Sequence, residues 1–201
     1  KMRKVFIYFL FVSFLLFSFQ NKTFAYSTNP EKFIGEIIEE AKQILNKNIS
    51  KEEKATKLSA IAKKTVDIKG IGYYTLGSKR KELSPDELKK YNSLFQEYFL
   101  KSFTSRLIDY SDPKIEVMSS EIISDKYTIV KTLLLATDKK PEVKIDWRVY
   151  TKNPEKPLIR DLIVEGLKLA RTQKEEFSSI LSSNNNDINA LFKTLEEFLI
   201  K

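Results

Sequence analysis

The chain has 201 residues, a formal net charge of +8, and neither cysteine nor histidine. Without cysteine there are no disulfides, no thiol chemistry and no Cys-ligated metals; without histidine there is no His-based triad and neither the commonest general base nor the usual zinc ligand. The lysines are scattered and form no dense basic block with interleaved aromatic residues, so we expect no nucleic-acid partner.

The first 25 residues have the organisation of a secretory signal peptide. Basic side chains at Lys1, Arg3 and Lys4 precede an uncharged run, residues 5–19, that is rich in Phe, Leu, Val and Ile. An uncleaved anchor is the alternative, but this run is shorter than the ~20 residues of a spanning helix. Thr23-Phe24-Ala25 resembles a signal-peptidase site, so we predict cleavage after Ala25, leaving residues 26–201 as one exported domain.

Two helices are predicted next. Asn29-Pro30 starts the first, because proline is favoured at the first helical position, and apolar residues then recur with the 3.6-residue period as far as Leu45. Ser50 and Glu53 form a capping box that starts the second helix. Its predicted buried face contains Leu58, Ile61, Ala62 and Val66.

The helical pattern is interrupted over residues 66–81, which contain Gly70, Gly72 and Gly77. Gly70-Ile71-Gly72 resembles the start of a phosphate-binding loop. It lacks the preceding strand, the third glycine at the required spacing and the Lys-Ser/Thr pair that such loops use. We therefore predict a backbone bend at residues 70–72 and no nucleotide site.

A long helix is predicted from Ser84-Pro85-Asp86-Glu87, a second capping box, to about Tyr110, ahead of Asp112-Pro113. Periodicity alone favours ordinary core for its apolar stripe, although the stripe could also line a cavity. The stripe consists of Leu88, Tyr91, Leu94, Phe95, Tyr98, Phe99, Phe103 and Leu107.

The period then changes to two, which indicates strands at residues 114–118, 127–137, 142–150 and 159–165. Short turns containing Pro141 and Pro154 suggest hairpins and therefore an antiparallel sheet. Two helices, over residues 169–181 and from Asp187 onward, close the chain. This order predicts an α+β fold in which helices pack on one face of a curved, mostly antiparallel sheet and enclose an apolar cavity.

No catalytic constellation is present. Asp161 and Glu165 lie four apart on a predicted strand, ~13 Å along it, which is too far for a glycosidase carboxylate pair. No serine lies in a G-x-S-x-G or S-x-x-K motif. We therefore predict an exported binding protein rather than an enzyme, with no catalytic residue, metal site or cofactor.

Two stretches together resemble the MlaC family, the toluene-tolerance family of periplasmic phospholipid-binding proteins. One contains Val66-Asp67-Ile68 and Tyr74-Thr75-Leu76-Gly77 ahead of the long helix. The other is Asp161-Leu162-Ile163-Val164-Glu165-Gly166, followed by a helix that contains Arg171 and Phe177. The resemblance extends over nearly all of residues 30–199.

The resemblance implies a periplasmic carrier that keeps phospholipid out of the outer leaflet of the outer membrane. The expected partners are a diacyl phospholipid, an inner-membrane ABC transporter complex and an outer-membrane lipoprotein–porin complex. It also makes Asp161 and Glu165 candidate buried anchors for the turn at Gly166. The expected lipid-binding residues are Tyr74, Phe95, Phe99, Phe103, Leu107, Val130, Thr132, Leu134, Ile145, Trp147 and Val149.

Three other functions stay open at this point. The protein could bind another apolar lipid, such as a hopanoid or an isoprenoid. It could be a structural partner of a membrane complex, with a solid core and no cavity. The third alternative, a hydrolase that uses carboxylates, is disfavoured by the missing carboxylate pair.

Overall fold

The computed structural model describes residues 25–108, 112–138 and 140–201. Apart from Ala25, the predicted signal peptide lies outside these residues, as does the predicted end of the long helix at Tyr110. The described residues form six α-helices and five strands: α1 Pro30–Leu45, α2 Lys51–Thr65, α3 Ile68–Leu76, α4 Pro85–Ile108, β1 Ile115–Ser124, β2 Tyr127–Leu134, β3 Val143–Tyr150, β4 Leu158–Val164, β5 Leu167–Lys168, α5 Leu169–Ser182 and α6 Ile188–Ile200.

The five strands form one antiparallel sheet in the order β1-β2-β3-β4-β5. Within it, Val130 lies opposite Trp147, and Thr132 lies opposite Ile145. Residues directly opposite each other in an antiparallel pair share a face, so the apolar residues with a two-residue period lie on the same side. The predicted α+β architecture is confirmed.

Three helix starts predicted from capping residues are confirmed. The Asn29 side chain accepts a hydrogen bond from the Lys32 N–H at 3.0 Å, and Ser50 Oγ accepts from the Glu53 N–H at 3.1 Å. At the start of α4, the N–H of Ser84 donates to Glu87 Oε2 at 2.8 Å, while Ser84 Oγ accepts from the Glu87 N–H at 3.3 Å. These bonds satisfy N–H groups that have no partner inside the helix.

The predicted backbone bend at residues 70–72 is wrong, because these residues lie inside α3. Asp67 caps that helix, with its Oδ1 accepting from the Gly70 N–H at 2.9 Å. Gly72 is required by packing rather than by a turn: a Cβ added there would lie 2.8 Å from Cδ1 of Phe95. The glycine therefore lets the ring of Phe95, on α4, approach the backbone of α3.

We expect Gly72→Ala to destabilise the protein by about 1 kcal/mol. Overpacking costs about 1–3 kcal/mol, which exceeds the ~1 kcal/mol that alanine gains over glycine in a helix. Gly35→Ala, on α1, is the matched control, since its added Cβ would lie 3.9 Å from the nearest atom, on Val117. Denaturant unfolding measures both variants, and equal stabilisation of the two would contradict this packing role.

Strand β1 is longer than the predicted residues 114–118, since it continues to Ser124 and pairs with β2 down to Tyr127. It is a sheet edge, and its residues after Ile115 are all exposed. Neither face of this part of the strand is buried, so its sequence lacks the alternation that marks a half-buried strand. Strand β2, in turn, ends at Leu134, earlier than predicted.

Two clusters of buried side chains form the core. One lies among the helices and includes Tyr91, Leu191 and Leu195. The other joins α1 and α2 to the sheet and includes Phe33 and Val149. Within the described ranges, no helix is long and apolar enough to cross a bilayer.

Candidate functional site

A largely apolar cavity of about 540 Å³ lies between the helices and the sheet. This volume is within the ~300–1,000 Å³ typical of ligand pockets. The lining includes residues of both core clusters. It consists of Ile37, Ile38, Ala41, Lys42, Leu45, Leu58, Ile61, Ala62, Thr65, Val66, Ile71, Phe95, Tyr98, Phe99, Ser102, Phe103, Arg106, Leu107, Pro113, Ile115, Leu134, Val143, Ile145, Trp147, Ile159, Asp161, Leu162, Val164, Leu169, Ala170, Thr172, Gln173 and Glu176.

Helix α4 forms one wall of the cavity. The structure places Phe95, Phe99, Phe103 and Leu107 along it, at four-residue spacing. The ring centroids of Phe95 and Phe99 are 6.2 Å apart, and those of Phe99 and Phe103, which stack, are 6.1 Å apart. Residues four apart lie on one face of a helix, so these side chains form a continuous apolar surface.

The sheet forms the opposite wall, to which Leu134, Ile145 and Trp147 contribute. The indole N–H of Trp147 donates to Thr132 Oγ1 at 3.0 Å, and the Thr132 hydroxyl donates to the carbonyl of Ile145 at 2.7 Å. Because both polar groups are satisfied inside the sheet, Trp147 brings its apolar ring surface to the cavity without an unpaired donor.

Four expected lipid-binding residues are not part of the lining. Val130, Thr132 and Val149 share the inner sheet face but are buried, and Val130 and Val149 belong to the core cluster that contains Phe33 of α1. Core packing of α1 therefore leaves no cavity over this part of the sheet. Tyr74 is 47% exposed on α3, with Lys174 Nζ 5.2 Å from its ring centroid.

Sequence reasoning missed the contribution of α1 and α2. Ile37, Ile38 and Ala41 of α1 line the cavity, as do Leu58 and Ile61 of α2. Their spacing follows the 3.6-residue helical period, which indicates a helix face turned toward the protein interior. The same spacing occurs whether the neighbouring space is filled by side chains or left open for a ligand, so it could not identify them as lining.

Asp161 is a buried carboxylate of the lining, 8% exposed. Its Oδ1 accepts from the Ala170 N–H, in the first turn of α5, at 2.9 Å. Burial raises the pKa of Asp161, while hydrogen bonds from the Ala170 and Leu162 backbone and the charges of Arg148 and Lys168 oppose the rise. The expected role as a buried anchor is confirmed for Asp161.

Glu165 is exposed, so its predicted burial is wrong. It has a φ of 48°, next to Gly166 with a φ of 82°. The Glu165 carboxylate accepts from the Lys144 N–H, and its own N–H donates to the Lys144 carbonyl at 3.0 Å. Glu165 thus ties the tight turn between β4 and β5 to the start of β3 from the solvent side.

We place the opening of the cavity between α4 and α5, because the exposed residues of its lining lie on these two helices. Arg106 of α4 and Glu176 of α5 are the exposed members of the lining, and the others are buried or half-buried. The Tyr98 hydroxyl donates to Gln173 Oε1 at 2.7 Å, and Gln173 Nε2 donates to Glu176 Oε2 at 2.8 Å. Burial and the charge of Glu176 raise the pKa of Tyr98, while the charge of Arg106 and the hydrogen bond to Gln173 oppose the rise.

No group of three or more carboxylates in the described part of the chain is arranged to hold a metal ion. The carboxylates, the amide and the phenol of the lining instead bond to other groups of the protein. Asp161 holds the start of α5, and Tyr98, Gln173 and Glu176 bond to one another. The arrangement suits enclosure of an apolar molecule.

Comparison with known proteins identifies the family. The family model for the MlaC protein matches residues 34–197. The chain belongs to the MlaC family. The match contains every residue of the cavity lining, from Ile37 to Glu176, and it confirms the resemblance seen in the sequence.

A solved structure has a similar fold to this MlaC-family chain. It is the phospholipid-binding protein from Ralstonia solanacearum in complex with a phospholipid, with a TM-score of 0.72 and 14% sequence identity. The similarity covers 83% of this chain and 94% of that one. At this identity it shows the fold alone. No curated protein matches the chain.

Proposed function

We propose that this MlaC-family protein is a carrier that holds a phospholipid by its acyl chains in the cavity between α4 and the sheet. The observation that carries the proposal is the largely apolar cavity of about 540 Å³. The structurally similar Ralstonia solanacearum protein is a phospholipid-binding protein, which supports the same class of ligand here.

Burial of acyl chains supplies the binding energy. Each methylene removed from water contributes about 0.8 kcal/mol, and the aromatic stripe of α4 faces Ile145 and Trp147 across the space that the chains would fill. The head group would lie at the opening between α4 and α5. Such a carrier needs no catalytic group, which suits a chain without histidine or cysteine.

The proposal places the protein in the periplasm, following cleavage of the signal peptide after Ala25. There it would exchange lipid with an inner-membrane ABC transporter complex and an outer-membrane lipoprotein–porin complex, and so maintain the lipid asymmetry of the outer membrane. Family membership and the predicted signal peptide support this role.

Mass spectrometry of a solvent extract from the purified, exported protein tests the carrier function. We expect diacyl phospholipid in stoichiometric amount, and a shift in Trp147 emission on delipidation, because its ring lines the cavity. A hopanoid or isoprenoid in its place would change the ligand but keep the cavity's role. Lipid-free protein that takes up nothing from vesicles would refute the proposal.

A further inference from the structure

Two cations of the cavity lining are engaged in no ion pair or hydrogen bond within the described part of the chain. Lys42 of α1 and Arg106 of α4 line the cavity, and neither side chain forms an ion pair or hydrogen bond with any described residue. The carboxylates and the amide of the same lining are engaged, since Asp161 accepts from Ala170 and the side chains of Gln173 and Glu176 bond to each other. The uncommitted charge of the lining is therefore positive.

Both cations lie toward the same end of the cavity. Each is in the last turn of its helix. One turn beyond Lys42, the side-chain amide of Asn46 donates to Asp112 Oδ1 at 3.1 Å, which ties the end of α1 to the segment that follows α4. Arg106 is also exposed at the opening, so its guanidinium can meet a ligand group that stays in contact with water.

The helix dipole explains why both cations lie in the last turn of a helix, but not why both line the cavity. A cation in the last turn interacts favourably with the carbonyl end of its helix. That interaction is available from any side of the helix and does not require the side chain to line a cavity. The position of both cations on the lining therefore needs a second explanation.

We infer that Arg106, assisted by Lys42, binds the phosphate of the lipid whose acyl chains fill the cavity, so that the cavity selects phosphate-bearing lipids over neutral ones. The inference rests on the proposed function. A guanidinium presents planar, paired N–H donors that match phosphate oxygens, and it keeps its charge at any physiological pH. Arg106 supplies these donors at the opening, and Lys42 adds a second positive charge on the cavity side.

The test compares two lipids with identical acyl chains, phosphatidylglycerol and diacylglycerol, presented in vesicles to delipidated protein. We expect the wild type to retain phosphatidylglycerol about tenfold better than diacylglycerol. In Arg106→Gln, phosphatidylglycerol retention should fall about tenfold, with diacylglycerol retention unchanged. Arg106→Lys should lose less, because it keeps the charge but not the paired donors. Lys42→Gln should give a smaller loss of the same selectivity.

Arg171→Gln is the matched control. Arg171 lies on α5, is 68% exposed, and pairs with Glu175 at 2.9 Å rather than lining the cavity. It should leave the retention of both lipids unchanged. Thermal unfolding of the delipidated variants shows whether Arg106→Gln is folded. If it is not, the phosphatidylglycerol retention of Arg106→Lys tests the phosphate contact instead.

Several outcomes would overturn the inference. If the wild type retains both lipids equally, or if Arg106→Gln changes their retention no more than Arg171→Gln does, the lipid carrier stands but the phosphate contact does not. If inorganic phosphate alone stabilises the wild type and not Arg106→Gln, with no preference between lipids, the site is one for free phosphate. If neither lipid is retained, the proposed function fails together with this inference.

Discussion

Replacing Ala41 with tryptophan is expected to remove most of the bound lipid while leaving the protein folded. Ala41 lies on α1, is half-buried, and lines the cavity. A large ring at this position would occupy space that we assign to an acyl chain. Because the space is a cavity rather than packed core, the ring can enter it without the strain that overpacking normally causes.

The size of the effect follows from the methylenes that the ring displaces. If about three methylenes can no longer be buried, at about 0.8 kcal/mol each, binding weakens by about 2.4 kcal/mol, or about 50-fold. The lipid-free variant should unfold at a temperature at least as high as that of delipidated wild type, because the ring fills part of an empty apolar space.

Ala60→Trp is the matched control for Ala41→Trp. Ala60 is exposed on α2 and does not line the cavity, so the same substitution there should leave bound lipid at the wild-type level. Lipid per protein is measured by extraction and mass spectrometry, and unfolding by circular dichroism. Equal lipid content in the two variants would show that the cavity is not where the ligand lies.

Local signals predicted the helices better than the cavity. Asn29, Ser50 and Ser84 start helices through side-chain bonds within three residues, so the sequence alone contains the cause. Gly72 shows the limit of such signals. Its role depends on Phe95, which lies more than twenty residues away in the chain and presses against α3. Without that contact in view, two glycines in three residues suggest a bend.

The cavity wall was predicted only in part, because burial and cavity lining produce the same sequence pattern. Trp147 and Val149 lie two residues apart on the same face of β3. Trp147 lines the cavity, whereas Val149 packs in the core beside α1. What separates them is the position of α1 over the sheet. That position is set by long-range packing, which a two-residue period does not encode.

Asp161→Ala is expected to lower the free energy of unfolding by about 2 kcal/mol. The buried carboxylate accepts a hydrogen bond from the backbone N–H of Ala170. Removing it leaves this buried donor unsatisfied, which costs about 1–3 kcal/mol. The N-cap residue of α5, Lys168, makes no side-chain capping bond. Asp161, on β4, accepts a hydrogen bond from the first turn of α5 in its place.

Asp161→Asn separates hydrogen bonding from charge, because the amide oxygen can still accept from Ala170. Burial raises the pKa of Asp161 in the folded protein. The wild-type side chain therefore contributes most to stability when it is protonated, below the unfolded-state pKa of about 3.9. That contribution is lost as pH rises through the folded-state pKa. Relative to wild type, Asp161→Asn should therefore gain stability as pH rises from about 4 toward neutrality, whereas Asp161→Ala should stay less stable than Asp161→Asn throughout. Urea unfolding at several pH values measures both trends. If the wild type instead becomes more stable relative to Asp161→Asn as pH rises, the carboxylate is stabilised as an anion and its pKa is lowered, not raised.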